Sequence, residues 1–281
     1  MRISLVVATM DRPDLLRRLL DSLVVQTRLP DQVILVDQSR DDLSEAVAAE
    51  FSERLNLLVL RAPPRGAPAA RNIGLRHVDG DVIGFPDDDC WYPVGAVERV
   101  HGEFSKDDHL DIFSGMSFNE KGVPSQGRWA TVRQTIDRYS AWVTQTQYTT
   151  FYRNAVFEKV GNFREELGTG AGTLWGSGEE TEFMIRSVDR GCHAVYDPSF
   201  YIHHPEPLSQ FDAKTFSRGR SYNMGFGRVM KLAGYPVWFV GYMALRPLVG
   251  AVVSLAKGSF GRSRYQLIAS YFRLRGWLYR L

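Results

Sequence analysis

The chain has 281 residues, 44% of them hydrophobic, enough for one large α/β domain or a domain with an appendage. Its two cysteines, Cys90 and Cys192, lie far apart without CxxC spacing, which argues against a zinc site or a disulfide framework and fits a reducing compartment. The net charge of +2 conceals an asymmetry: from Ala213 onward three lysines and nine arginines face no acidic residue, so the rest is an acidic body carrying a basic tail.

The first hundred residues alternate in the manner of βαβ units. "ISLVVA" reads as a buried strand; this run of six residues is too short for a signal peptide's apolar core, so the main domain is expected in the cytosol. Asp11-Arg12-Pro13 opens a helix whose Leu15, Leu16, Leu19, Leu20 and Leu23 share a face. "QVILVD" is a second strand ending at Asp37, and Ser44 to Phe51 a helix. "LNLLVLR" is a third strand, "APAARNIGLRHV" a helix, and "DVIGF" a fourth strand running into Asp87-Asp88-Asp89.

The middle, about Asp111 to Phe157, mixes short β-like runs with aromatics and threonines and reads as an acceptor-side part of the same domain. The glycine-rich "GTGAGTLWGSG" does not fit a phosphate-cradling loop and reads as a hinge. "EETEFMIRSVDRG" has helical spacing with Phe183, Ile185 and Val188 inward; "HAVYDP" is a strand, followed by "YIHHPEP". In the tail, "YPVWFVGYMALRPLVGAVVSLA" and "YQLIASYFRLRGWLYRL" are apolar and aromatic with no acid, as in helices that lie on or dip into a membrane surface. Arg246 in the first costs about 2.5–3.5 kcal/mol at the centre of a span, which favours the interface.

Polar residues therefore gather where strands end: Thr9 with Arg12, Asp37, and the aspartate triplet. In open α/β sheets ligands bind at that edge. Three adjacent carboxylates repel unless solvated, capping a helix or neutralised by a cation. A diphosphate-bearing substrate unites these residues with Arg71, Asn72, Glu179, Glu180, His203 and His204. A hard divalent cation takes carboxylate oxygen and neutralises pyrophosphate, Asp37 accepts from a base or ribose, Arg71 holds phosphate or carboxylate, and Glu180 offers a general base.

In joint order, "SLVVATMDRPDLLRRLLDSLVVQT", "VILVDQSRDD", "GAPAARNIGL", "IGFPDDDCWYP" and "GSGEETEFMIRSVDRGCHAVYDP" resemble a family-2 inverting glycosyltransferase with the GT-A type nucleotide-sugar fold. The resemblance covers about Ile3 to Pro205 and implies a Rossmann-type mixed sheet flanked by helices. It implies sugar transfer from a nucleoside diphosphate with a divalent metal, manganese or magnesium. It assigns Asp87 to the ribose side, with Asp88, Thr9, Arg12, Asp37, Arg71 and Asn72 as further donor-binding residues. Asp89 reaches the metal, His203 and His204 are candidates to complete its shell, and Glu180, second of an acidic pair usually Glu-Asp, is the base beside Glu179.

The expected organisation is a catalytic domain over residues 1–212 (donor half 1–110, acceptor and base half 111–212) and a helical membrane-associated tail over 213–281. The expected partners are a nucleoside-diphosphate sugar, a glycan or lipid-linked acceptor and an anionic membrane at the cytoplasmic face, with peripheral or monotopic attachment. A sugar nucleotidyltransferase is the enzymatic rival, but "ATMDRPD" lacks the glycines of its phosphate loop. A nucleic-acid binder using the basic tail is the other, and it has no use for the apolar 22-residue run; no nucleic-acid partner is expected.

Overall fold

The computed structural model describes residues 1–206 and 210–279; the last residue of "YIHHPEP" and the last two of the tail's second apolar segment lie outside them. Two compact units are present: Met1–Phe163 with Phe183–Pro207, and Arg164–Glu182 with Leu208–Leu281. The boundary thus places "GTGAGTLWGSG", Glu179 and Glu180 with the C-terminal helices, whereas the sequence reading grouped them with residues 1–212.

The first unit is built on an eight-stranded sheet of order β3-β2-β1-β4-β7-β5-β8-β6. Its parallel half comprises β1 (Ile3–Thr9), β2 (Gln32–Asp37), β3 (Leu57–Arg61) and β4 (Val82–Gly84). β1 and β2 are nearly continuous buried runs, as strands covered on both faces must be. Between them run α1 (Pro13–Val24), α2 (Leu43–Ala49) and α3 (Ala67–Leu75). Pro13 starts α1, where its missing N–H costs nothing, and Leu16, Leu19, Leu20 and Leu23 are its buried stripe; Leu15 is half-buried.

After α4 (Ala96–Lys106), a helix the sequence reading did not place, come β5 (Ile112–Phe118), the two-residue β6 (Gln134–Thr135), β7 (Thr150–Arg153) and α5 (Asn154–Val160). β7 inserts antiparallel between β4 and β5, so the sheet is mixed. Phe85, Tyr152, Phe157, Phe163 and Phe183 form a cluster of edge-on and stacked rings that fixes the exit of β4. β8 (Ala194–His203) is longer than the "HAVYDP" expected and pairs parallel to β5 across a register shift.

The second unit holds α7 (Ala213–Leu232), α8 (Val237–Ala256) and α9 (Phe260–Leu278); α6 (Glu179–Asp189) crosses the division. α9 packs against both α7 and α8. Close approach to α7 needs glycine: a Cβ on Gly227 would lie 2.1 Å from the Arg273 carbonyl oxygen, and one on Gly276 2.2 Å from that of Met224. α8 buries Phe239, Val240, Met243, Ala244 and Ala251, while Trp238, Tyr242, Leu245, Val249 and Val252 form an exposed stripe at helical spacing. Among the described residues, it is the helix long and apolar enough to cross a membrane.

Candidate active site

β4 ends at Gly84, but its path continues: Asp87 bridges in parallel to Ala8, which lays the triplet beside the end of β1. From there the three carboxylates diverge. Asp87 Oδ1 accepts from Arg71 Nη2 at 2.9 Å, and that arginine is buried. Asp88 is buried, accepting from Thr9 Oγ1 at 2.9 Å and Arg12 Nη1 at 3.2 Å. Burial pushes its carboxyl up to about 6 against the pull of the Arg12 charge. Asp89 accepts from Arg12 at 3.3 Å through Oδ2 and from His204 Nε2 at 3.0 Å through Oδ1. Burial pushes Asp89 up, yet the His204 hydrogen bond and the charges of His204 and Arg12 outweigh it and leave the carboxyl below its ordinary value.

The histidine comes from the far end of the sheet unit. Trp91 and His203 form an antiparallel bridge, which sets His204 alongside Asp89. The His204 ring stacks on Tyr148 with centroids 4.8 Å apart, and its Nδ1 lies 2.8 Å from the Pro205 carbonyl and 2.9 Å from Gln126 Nε2. Asp87, Asp89 and His204 each bring a ligand atom within 4.8 Å of the others. Two carboxylates and an imidazole, with the second imidazole nitrogen beside a carbonyl, suit a divalent cation such as magnesium or manganese. His203, the other expected ligand, is not in this cluster. Successive side chains on an extended chain point to opposite sides, and its ring lies parallel to Trp91, with centroids 5.1 Å apart and Nδ1 buried without a partner.

Asp37 is fully buried and accepts from the Ser39 amide at 2.8 Å and from Arg61 Nη1 at 2.7 Å. Arg61 escaped the sequence reading, although it ends β3 as Asp37 ends β2 and the two are in register. Arg18 escaped as well: it donates to the Asp89 carbonyl at 2.6 Å and lies 4.1 Å over Trp91. Asn72, expected at the donor, spends both ends of its amide on the backbone of Phe163, at 2.9 and 3.1 Å, and so pins the turn after α5 to α3.

In the second unit, α6 opens with Glu179, Glu180 and Glu182 in its first turn, where carboxylates complement the helix dipole. Glu179 is buried, Glu180 half-buried, and Glu182 pairs with Arg164 at 3.0 Å. The glycine stretch before them has positive φ at Gly168, Gly170, Gly172 and Gly178.

The family model described as glycosyl transferase family 2 matches residues 4–163. Glycosyltransferase GlyA of Streptococcus pneumoniae serotype 4 is 30% identical over 123 residues, 42% of this chain and 17% of that protein. The uncharacterized glycosyltransferase YwdF of Bacillus subtilis is 28% identical over 172 residues, 59% of this chain and 63% of that protein. The match therefore spans less than two thirds of either relative's length. Among solved structures, the mannosyltransferase PcManGT of Pyrobaculum calidifontis, in complex with GDP-Man and Mn2+, superposes with a TM-score of 0.66 at 16% identity, covering 97% of this chain and 87% of that one. TarS of S. aureus, in complex with UDP-GlcNAc, does so with 0.63 at 17% identity, covering 100% and 93%. These likenesses show a shared fold of the GT-A type, a mixed sheet flanked by helices.

Proposed function

The chain belongs to glycosyl transferase family 2 and is a glycosyltransferase, and from that premise we propose that it transfers a sugar, with inversion, from a nucleoside diphosphate to a hydroxyl of a glycan or lipid-linked acceptor. The reaction is assigned to polysaccharide or glycolipid assembly and depends on a divalent cation, manganese or magnesium. One observation carries the reading: Asp87, Asp89 and His204 converge at the strand-end edge of the sheet, in the carboxylate motif that follows β4.

Asp89 and His204, with Asp87 as a third ligand, are the residues proposed to hold the cation. A divalent cation held there would supply charge neutralisation of the departing diphosphate. Arg71 steers Asp87, and Arg12, Thr9 and the buried Asp88 brace the triplet from the β1 side. Asp37, fixed by Arg61 and Ser39, is the proposed acceptor for the nucleoside. Glu180 takes the acceptor hydroxyl's proton while that oxygen attacks the anomeric carbon. The bond from that carbon to the diphosphate oxygen breaks, and the diphosphate leaves with the electron pair. Glu179, more buried, positions the loop or the acceptor.

The tail, residues 213–281, is proposed to attach the enzyme, peripherally or monotopically, to an anionic membrane at its cytoplasmic face. Its excess of twelve basic residues without an acid, and the exposed apolar stripe of α8, support this. A panel of nucleotide sugars, assayed for hydrolysis and transfer with manganese and with magnesium, tests the function. Turnover of one donor class with either cation is expected; no turnover of any donor with both cations contradicts it.

A further inference from the structure

Arg228 lies on α7 with 9% of its surface exposed, yet among the described residues its guanidinium makes no hydrogen bond and no ion pair. Its one contact of note is the face of Trp175, 4.7 Å from the ring centroid. Trp175 is 7% exposed, and its indole Nε1, like Arg228 Nε, is buried without an acceptor. An arginine cannot shed its proton, so a buried one is ordinarily paired. Among the described residues the rule holds for the buried Arg71, which pairs with Asp87, and the half-buried Arg273 likewise donates to Asn223 and a helical carbonyl.

The position of the pair adds to its chemistry. Trp175 sits in the glycine-rich stretch that leads into α6, and this stretch packs directly on α7. The Gly176 amide donates to the Ser221 carbonyl at 3.1 Å, and Ser177 Oγ to the Tyr222 carbonyl at 2.8 Å. A Cβ on Gly178 would lie 2.6 Å from Val229, the residue after Arg228. Two donors without acceptors, one on α7 and one on the stretch packed against it, therefore stand just before the chain turns into Glu179. Among the described residues no carboxylate pairs with this guanidinium, and no acidic residue occurs from Ala213 onward.

We propose that Arg228 and Trp175 form a binding site for a phosphate group, in which the guanidinium and the indole N–H donate to phosphate oxygens. A phosphate offers several acceptors and a charge to match the arginine's fork, and the indole face 4.7 Å away restrains the guanidinium. Glycosyl transfer, as proposed above, gives two sources of the same chemistry: the diphosphate of the donor and a phosphate carried by the acceptor. Phosphate binding itself does not depend on that reading.

The test is calorimetry of the full chain with inorganic pyrophosphate in EDTA, so that no divalent cation contributes. Wild type is expected to bind, Arg228→Met to bind about tenfold more weakly or less, and Trp175→Phe, which keeps the ring and loses the donor, to fall between. The melting temperature of Arg228→Met should drop little, since no hydrogen bond or ion pair is lost and only the ring contact with Trp175 goes. If that variant fails to fold, Arg228→Lys replaces it: at wild-type stability it must still bind more weakly, because lysine lacks the fork. UDP and glycerol 3-phosphate, titrated in the same way, separate the sources: the one whose affinity falls with Arg228→Met is the ligand. Wild-type affinity in the variants for all three probes, or no binding of any of them by wild type, overturns the proposal.

Discussion

Arg273 donates from Nη1 to the carbonyl of Met243 at 2.8 Å, and Met243 stands four residues before Pro247 in α8. Proline has no N–H, so that carbonyl lacks its helical donor; an arginine from α9 supplies one. Its Nε also donates to Asn223 Oδ1 on α7 at 2.9 Å, and its guanidinium lies 3.9 Å over Phe226. One side chain thus mends the break in α8 and ties it to both neighbours.

Removing that donor should be costly. Arg273→Met is expected to destabilise the chain by about 1.5–3 kcal/mol, the range for hydrogen bonds to a charged group. Pro247→Ala restores an N–H to the Met243 carbonyl, so the cost of Arg273→Met should shrink in that background. Urea unfolding of the two single variants and the double variant measures the coupling. An equal cost in both backgrounds means the arginine does not serve the proline break.

Metal binding should depend on pH through His204. Burial pulls its pKa down, but the hydrogen bond to Asp89 and the charges of Asp89 and Asp87 outweigh burial and hold it above an ordinary histidine. Protonated His204 therefore stabilises the metal-free fold below the unfolded value of about 6.5, and this contribution is lost as pH rises through the raised folded value. A cation needs Nε2 unprotonated, so manganese affinity is full above that value. It should fall by up to about tenfold per pH unit below it. Manganese titrations across about pH 6 to 8 check this, with His204→Gln expected to flatten the dependence. A wild-type profile as flat as the variant's removes His204 from the shell.

For the base, Glu180→Gln should keep donor binding and lose transfer by about 10²–10⁴-fold. Single-turnover assays with matched donor occupancy separate the two effects. A crippled Glu179→Gln beside an active Glu180→Gln would move the role to the buried neighbour.

Membrane attachment is better tested by point changes than by truncation. Ending the chain near Asp212 strips Gly176 and Gly178 of the α7 residues they pack on, Ser221 and Val229. Val249 and Val252 are each 68% exposed on one face of α8. Wild type should float with anionic liposomes and be only partly released by salt, because apolar burial is not screened as charge is. Val249→Glu with Val252→Glu should abolish flotation. Undiminished flotation of the double variant rules out that face.

The parallel half of the sheet was legible because buried strands and one-faced helices write themselves as local patterns: "ISLVVA" and "QVILVD" became β1 and β2, and the leucine stripe became α1. The insertion of β7 between β4 and β5 was not, since pairing across that distance leaves no local signature. Within the site, the residue types were legible and their allocation was not. Three adjacent aspartates look alike in sequence, but the chain turns Asp87 to Arg71, Asp88 inward to Thr9 and Asp89 to His204. The same alternation parts His203 from His204. Arg61 could have been found from its place at a strand end beside Asp37; Arg18, paired to a backbone carbonyl, could not.

Calorimetry of a nucleoside diphosphate against wild type and Asp89→Asn, each with and without manganese, tests metal-dependent donor binding at this edge most directly. Wild type should bind at least about tenfold more tightly with manganese, because a cation held by Asp89 would neutralise the diphosphate. Asp89→Asn, at unchanged melting temperature, should lose that increment and bind alike with and without the metal. A manganese increment in Asp89→Asn equal to that of wild type contradicts the assignment of Asp89 to the cation.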